Sequence, residues 1–255
     1  MRYSHIFLTR PQSEAGELAA MLSPLGLKIV IQPAFDFREL DASVEQPELL
    51  ADLEAGGVKP LLIFTSPRAV SFGLRQLPDG LTNTCQVAAI GPATARALEA
   101  ERVSVRIRPA EGYTSEALLQ TLGDDASGFI SPNRSALILA APGGRRKLAE
   151  GLEERGWTTQ MLMVYRRENA ALDKQEISRL DKATGILSVW TSANGMKSLS
   201  QRLPPAVWFR LCRGEWLVIS DRLKRLARAY HPSEIHLSSG PGNSDLFTAI
   251  RGLVL

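Results

Sequence analysis

Leu61-Leu62-Ile63-Phe64-Thr65-Ser66-Pro67-Arg68-Ala69-Val70 is the stretch that decides the fold. Four apolar residues run into a hydroxyl pair, a proline and then helix-favouring residues. A short apolar run closed by a turn signal suits a strand buried on both faces, as in a parallel sheet. Thr65 or Ser66 can cap the helix, and Pro67 fits its first position, where a missing N–H costs nothing. The expected product is a strand, a tight turn and a helix N-terminus whose backbone N–H groups and dipole attract anions. A second copy reads Ile186-Leu187-Ser188-Val189-Trp190-Thr191-Ser192-Ala193-Asn194-Gly195-Met196, with Thr191 standing 126 positions after Thr65.

Outward from these two turns the offset persists. Leu18 and Leu148, and Gly26 and Gly156, are 130 apart. Ile90-Gly91 and Ile219-Ser220, and Ser115-Glu116 and Ser244-Asp245, are 129 apart. A fixed offset means two copies of one architecture. Strands are expected near 6–8, 27–32, 61–64, 86–90, 103–107, 136–140, 160–165, 186–190, 216–219 and 235–237. Helices are expected over 46–55 (stopped by Gly56-Gly57), 67–76, from the Gly91-Pro92 turn to about 101, over 116–122, 145–155 and 244–251, with a polar stretch of low order at 123–135. Alternation of strand and helix predicts parallel sheets covered by helices on both sides. Ligands of such sheets sit at the carboxyl ends of the strands, and two such edges facing each other make an inter-domain cleft. Taken alone, the repeat places the domain cut near 125–135.

The chain of 255 residues has room for two domains of average size. Hydrophobic content of 44% and charged content of 22% are ordinary for a globular protein. No apolar run approaches a membrane span, and the apolar part of the first ten residues is too short for a signal peptide. Cys85 and Cys212 are too few for a disulfide framework, so the chain reads as cytoplasmic, with no membrane partner. The net charge of +3 admits an acidic ligand. The basic residues are scattered and lack an aromatic platform, so no nucleic-acid partner is expected. Pro142-Gly143-Gly144-Arg145-Arg146-Lys147 is not a phosphate loop, and Gly240-Pro241-Gly242 is only a fragment of a dinucleotide fingerprint. His231, Glu234 and His236 stand close together, but Pro232 breaks any helix that would align them, so no metal site is expected.

Tyr165 closes the strand Met161-Leu162-Met163-Val164 and precedes Arg166-Arg167. A tyrosine in that position ordinarily packs its ring and leaves its hydroxyl to water. Beside arginines and an anion-binding edge, the same phenol can donate a proton to a leaving hydroxyl.

Several motifs carry a resemblance: Leu8-Thr9-Arg10-Pro11, Phe64-Thr65-Ser66-Pro67-Arg68-Ala69-Val70, Ala89-Ile90-Gly91-Pro92-Ala93-Thr94-Ala95, Leu152-Glu153-Glu154-Arg155-Gly156 with Val164-Tyr165-Arg166, and Val189-Trp190-Thr191-Ser192. In order and spacing they resemble the uroporphyrinogen-III synthase family over nearly the whole chain. The resemblance implies a lyase (a hydro-lyase) of tetrapyrrole and haem biosynthesis. Such an enzyme closes hydroxymethylbilane, a linear tetrapyrrole polycarboxylate, with loss of water and inversion of ring D through a spiro intermediate, and uses no metal or organic cofactor. It also implies the fold: α/β, two flavodoxin-like parallel-sheet lobes with helices on both faces, joined by a two-stranded β ladder, with a cleft between the lobes. Residues 1–36 and 168–255 would form one discontinuous lobe and 37–167 the other, against the cut that the repeat suggests. By motif, Tyr165 corresponds to the proposed general acid, Ser66 to the hydroxyl of the strand-turn site and Thr94 to the threonine of the glycine turn. The candidate substrate-binding set is Arg10, Thr65, Ser66, Arg68, Gly91, Thr94, Thr191, Ser192, Asn194 and Ser220, in a monomer acting on a small molecule. One departure stands out: Leu223 occupies the position 129 after Thr94, within Ser220-Asp221-Arg222-Leu223. The competing readings are a non-enzymatic two-lobed sensor or binding module for an acidic ligand, and a sugar-nucleotide transferase, which the missing phosphate loop disfavours.

Overall fold

The computed structural model of the protein describes residues 2–55, 59–123, 134–144 and 146–255. The Gly56-Gly57 stop, most of the polar stretch 123–135 and Arg145 lie outside the described residues. The chain opens with β1 (His5–Leu8), α1 (Gln12–Leu22), β2 (Lys28–Ile31) and β3 (Phe35–Glu39). Helices α2 (Ala42–Glu45) and α3 (Pro47–Glu54) lead to β4 (Leu61–Phe64), α4 (Pro67–Gly73), α5 (Leu81–Thr84), β5 (Val87–Ala89) and α6 (Pro92–Ala100). Then come α7 (Ser115–Gly123), β6 (Ser135–Ala140), α8 (Arg146–Glu153), β7 (Thr158–Met163) and β8 (Tyr165–Asn169). The last third holds α9 (Lys174–Ser178), β9 (Ile186–Trp190), α10 (Ala193–Arg202), α11 (Pro205–Arg213), β10 (Glu215–Val218), α12 (Asp221–Ala227), β11 (Glu234–Leu237) and α13 (Asn243–Val254).

Two compact units result, Met1–Phe37 with Glu168–Leu255, and Arg38–Arg167. The chain passes from one to the other inside β3 and again inside β8, and these two strands pair as an antiparallel two-stranded sheet. In the first unit the parallel sheet runs β11-β10-β9-β1-β2. In the second it runs β5-β4-β6-β7, and Ile107 adds one parallel bridge to Ala88 on the β5 side.

These are the same order once the repeat is applied. β4 stands where β9 does, β5 where β10 does, Ile107 where β11 does, β6 where β1 does and β7 where β2 does. The sequence copies are therefore not the spatial units. The β1-α1-β2 half of the first copy completes the sheet begun by β9 to β11 of the second. The β6-α8-β7 half of the second copy completes the sheet of β4 and β5. A two-stranded parallel piece has too little apolar surface to stand alone, so each half needs a partner sheet. Strand order reverses at the seams β1/β9 and β4/β6.

Within each sheet alternate residues feed opposite cores, as the two-residue strand period requires. Phe7, Trp190, Trp216 and Val218 join the core beneath α10, α11 and α12, whereas Ile6, Leu8, Val189 and Leu217 join that beneath α1 and α13. Leu62, Phe64, Leu137 and Leu139 pack with α4 and α6, whereas Leu61, Ile63, Ala136 and Ile138 pack with α7 and α8. The first core is aromatic: Trp190 and Trp216 lie 4.7 Å apart between ring centroids, and Trp208 and Tyr230 close round them. Trp216 Nε1 donates to Leu211 O at 2.9 Å. Ser188 Oγ and Trp190 Nε1 are buried without a hydrogen-bond partner among the described residues.

Three local expectations need correction. Residues 103–107 do not form a strand; only Ile107 bridges, because Pro109 lacks the N–H that would carry the ladder onward. The expected helix 67–76 stops at Gly73. Tyr165 does not close β7. Val164 donates to Ala140 O at 3.0 Å and its carbonyl accepts from Leu40 N–H at 3.1 Å, so the chain leaves the sheet there and Tyr165 opens β8.

At the amino ends of the first unit's strands, Glu215 accepts hydrogen bonds from Tyr3 and from Arg2 Nε (2.7 Å), and lies 2.7 Å from His236 Nε2. Arg2 also reaches Glu234 at 2.6 Å. Burial pushes the Glu215 carboxyl up, but the bonds from Tyr3, His236 and Arg2 outweigh it and hold the group below its ordinary range. Its contribution to stability is therefore complete above the unfolded value of about 4.3 and is lost as pH falls through the lower folded value. Glu215→Gln should flatten urea midpoints measured between pH 6 and pH 3; slopes equal to those of the parent would contradict this. Ser188→Ala removes an orphaned hydroxyl and should stabilise by about 1 kcal/mol, read as a raised urea midpoint at unchanged m.

Candidate functional site

The second unit's carboxyl edge is built first by Thr65 and Ser66. Thr65 Oγ1 donates to Leu139 O at 2.7 Å across the β4/β6 seam, so its hydroxyl proton stitches the turn to the neighbouring strand. Thr9 does the same across the β1/β9 seam, to Val189 O at 2.8 Å. Ser66 is extended, and its Oγ accepts the Ala69 N–H at 3.0 Å, capping α4. Ser192 caps α10 through Gly195 N–H at 2.9 Å, and Ser220 caps α12 through Leu223 N–H at 3.3 Å. The outward amides expected at these turns are thus partly satisfied by the serines themselves.

Gly91 differs. It begins α6 with no side chain to cap it, and the Ala93 and Thr94 N–H groups find no partner among the described residues, while the Thr94 side chain lies buried. Tyr113 lies against this turn: a Cβ on Gly91 would stand 3.0 Å from Tyr113 Cδ1, so any other residue there would push the ring back by a few tenths of an ångström. Tyr113 is nevertheless 60% exposed. Sequence reasoning missed it, since a tyrosine in a loop carries no periodic signal.

Tyr165 joins the same edge from β8. Its hydroxyl is 3.1 Å from Ser66 Oγ, a contact between residues 99 positions apart. Phe72 of α4 stacks on its ring, with centroids 5.5 Å apart and planes 23° from parallel. Two glutamines hold the backbone before it. Gln46 Oε1 accepts from Met163 N–H at 2.7 Å, and Gln76 Nε2 donates to Val164 O at 3.2 Å. Neither glutamine was legible in advance, because nothing local marks an amide as a brace. Arg68 stands half-buried in the first turn of α4, near Ser66 in sequence.

In the first unit, Arg10 pairs with Glu14 at 2.6 Å and donates to Pro241 O at 2.8 Å, tying the β1–α1 turn to the loop before α13. Thr191 is half-buried, and Asn194 is exposed in the first turn of α10. Leu223 lies buried at the third position of α12, as Thr94 does at the third position of α6. The Thr-to-Leu departure therefore falls on an inward-facing position. Asp221, first in α12, suits the positive end of the helix dipole.

Glu215, Glu234 and His236 offer ligand atoms within 4.8 Å of one another, but Arg2 bridges both carboxylates, so the cluster carries its own counter-charge. It lies at the amino ends of β10 and β11, opposite the turns. A cavity of about 530 Å³ beside Gly185, Phe209, Arg210 and Gly214 is likewise at the amino ends. The expected site residues instead follow the carboxyl ends of their strands: Thr65, Ser66, Arg68, Gly91 and Thr94 in one sheet, Arg10, Thr191, Ser192, Asn194 and Ser220 in the other.

Comparison with known proteins identifies the family. A family model described as uroporphyrinogen-III synthase HemD matches residues 16–248. Uroporphyrinogen-III synthase of Escherichia coli is 30% identical, the alignment covering 96% of this chain and 99% of that one. The Salmonella typhimurium enzyme is 29% identical with the same coverage. Among solved structures, uroporphyrinogen-III synthetase of Helicobacter pylori matches with a TM-score of 0.60 at 17% identity, over 99% of this chain and 100% of that one. A mutant synthase from Thermus thermophilus matches at 0.57 and 20%, over 98% of each chain; at such identities these two speak for the fold. With the family match spanning nearly its whole length and a full-length relative at 30% identity, this chain belongs to the uroporphyrinogen-III synthase family.

Proposed function

We propose that the protein is itself a uroporphyrinogen-III synthase, closing hydroxymethylbilane to uroporphyrinogen III with loss of water. The observation that carries the mechanism is a phenol, Tyr165, held by Ser66 at the carboxyl edge of a parallel sheet. Tyr165 gives its proton to the terminal hydroxyl of the substrate. The C–O bond breaks, its electron pair leaves with water, and the adjacent pyrrole nitrogen, keeping its hydrogen, supplies the pair that makes the azafulvenium cation. Ring D attacks through its substituted carbon, the spiro intermediate opens and recloses inverted, and the final loss of a carbon-bound proton returns one proton to the phenolate. Substrate equals product plus water, so no oxidant, reductant or group donor enters.

Selectivity for the inverted isomer comes from position. Holding the chain ends in one reactive orientation removes entropy before the chemical step, worth several kcal/mol of barrier. Arg68, Gly91 and Thr94 in one unit, and Arg10, Thr191, Ser192, Asn194 and Ser220 in the other, are the proposed contacts for the substrate carboxylates, and Ser66 serves Tyr165. Thr65 shapes the turn that presents them. The two compact units are proposed as the two lobes of a monomer acting in the cytoplasm. Among the described residues no helix is long and apolar enough to cross a membrane.

Incubation with freshly prepared hydroxymethylbilane, followed by separation of type I and type III products, should yield type III. Type I alone, at the uncatalysed rate, would leave a binding module. Tyr165→Phe should lower kcat about 10- to 100-fold, within the reach of one general acid; full activity would remove Tyr165 from the mechanism.

A further inference from the structure

We infer that helix α4 is the device that places Tyr165, with Ser66 and Phe72 as its positioning residues: Ser66 receives the developing phenolate and Phe72 fixes the plane of the ring. This rests on the reading of Tyr165 as proton donor. Three contacts converge there, at the Tyr165 oxygen, at its ring face and at the carbonyl of the preceding Val164, and they come from the N-cap of α4, from α4 and from the residues just after it.

The oxygen contact can run with Ser66 as the donor. Ser66 Oγ accepts the Ala69 N–H at 3.0 Å and keeps its own hydrogen to donate, and Tyr165 Oη lies 3.1 Å away. With Ser66 as donor, the contact does not consume the Tyr165 proton. When the proton leaves Tyr165, the Ser66 O–H is already aimed at the new negative charge. Ser66 keeps its proton throughout. A hydrogen bond to an ionised oxygen is roughly twice as strong as one to a neutral oxygen. The contact therefore gains strength in the transition state and acts on kcat more than on KM.

The ring contact is equally fixed. Phe72 stacks on Tyr165 at 5.5 Å, and its own face is covered by the Arg75 guanidinium at 5.3 Å. Arg75 is held in turn by Glu39 at 2.8 Å. Gly73 sets how near the helix lies: a Cβ there would meet Leu139 Cδ2 at 2.5 Å. Three residues further on, Gln76 donates to Val164 O (3.2 Å) and accepts from Ala42 N–H (2.9 Å), locking the peptide that precedes Tyr165.

The test is a set of double-mutant cycles on kcat, KM and the type III to type I product ratio. Ser66→Gly is the informative variant, since glycine keeps most of the cap while deleting the hydroxyl. Ser66→Gly is expected to lower kcat about tenfold with KM within twofold of the parent, and Ser66→Thr should restore most of it. Phe72→Leu should likewise act on kcat. In a Tyr165→Phe background neither Ser66→Gly nor Phe72→Leu should cost anything further. An undiminished cost in that background would overturn the inference, because the residues would then act as a cap or as substrate contacts independent of Tyr165. A Tyr165→Phe protein with full activity would overturn the reading on which the inference rests as well, and so is told apart from the first failure. Urea midpoints for each variant separate lost placement from lost fold.

Discussion

Each sheet is held together at a seam where two halves from different sequence copies meet, β1 against β9 and β4 against β6. Everything at the carboxyl edges depends on those seams. The parallel register there brings Leu8 beside Val189 and Phe64 beside Leu139. It thereby places a threonine at each seam within reach of the opposite carbonyl. Thr9 and Thr65 each donate a hydroxyl hydrogen bond to close it. A side-chain bond across a strand pair is a modest stabiliser, about 1 kcal/mol. Its larger effect is geometric, because it fixes the direction in which the chain turns into the following helix.

The turns that follow divide by how their amides are satisfied. Those of α4, α10 and α12 begin with serine and cap themselves, so their amides are already partly neutralised. That of α6 begins with Gly91, leaves two amides for another partner and is covered by the ring of Tyr113. For a polyacid ligand this distinction matters. A self-capped turn offers a hydroxyl and a fixed shape, whereas an uncapped one offers backbone donors. Serine also allows a second use of the same oxygen, as Ser66 shows by capping α4 while touching Tyr165.

The placement of Tyr165 illustrates how distant sequence becomes local chemistry. Its neighbours come from α4 (Ser66 and Phe72), from the residues after it (Gln76), and from Gln46 between α2 and α3. The amide side chains of Gln46 and Gln76 finish the hydrogen bonding of a backbone that has just left one sheet and is entering another. Such backbone groups are costly when unpaired, and a long amide can serve a donor and an acceptor together.

By itself the sequence determined what short-range physics controls. Apolar runs closed by Thr-Ser-Pro or Ile-Gly-Pro became buried strands followed by helices, since burial and capping are read within a few residues. The fixed offset announced two copies, and the motifs pointed to the family that the comparisons show. The repeat by itself left open which halves pair, because a tandem repeat can complete its sheets within a copy or across copies with the same local pattern; the resemblance implied the exchange, and the strand registers make it. Only the tertiary structure decided the contact of Ser66 with Tyr165, the glutamine braces and the pairing of Arg2 with Glu215 and Glu234. Residues 103–107 make the point in reverse. Their apolar alternation suits a strand, but a place at the sheet's edge before Pro109 leaves one bridge. Strand pairing is settled by which backbone donors and neighbours the fold supplies, and those lie beyond the reach of any local pattern.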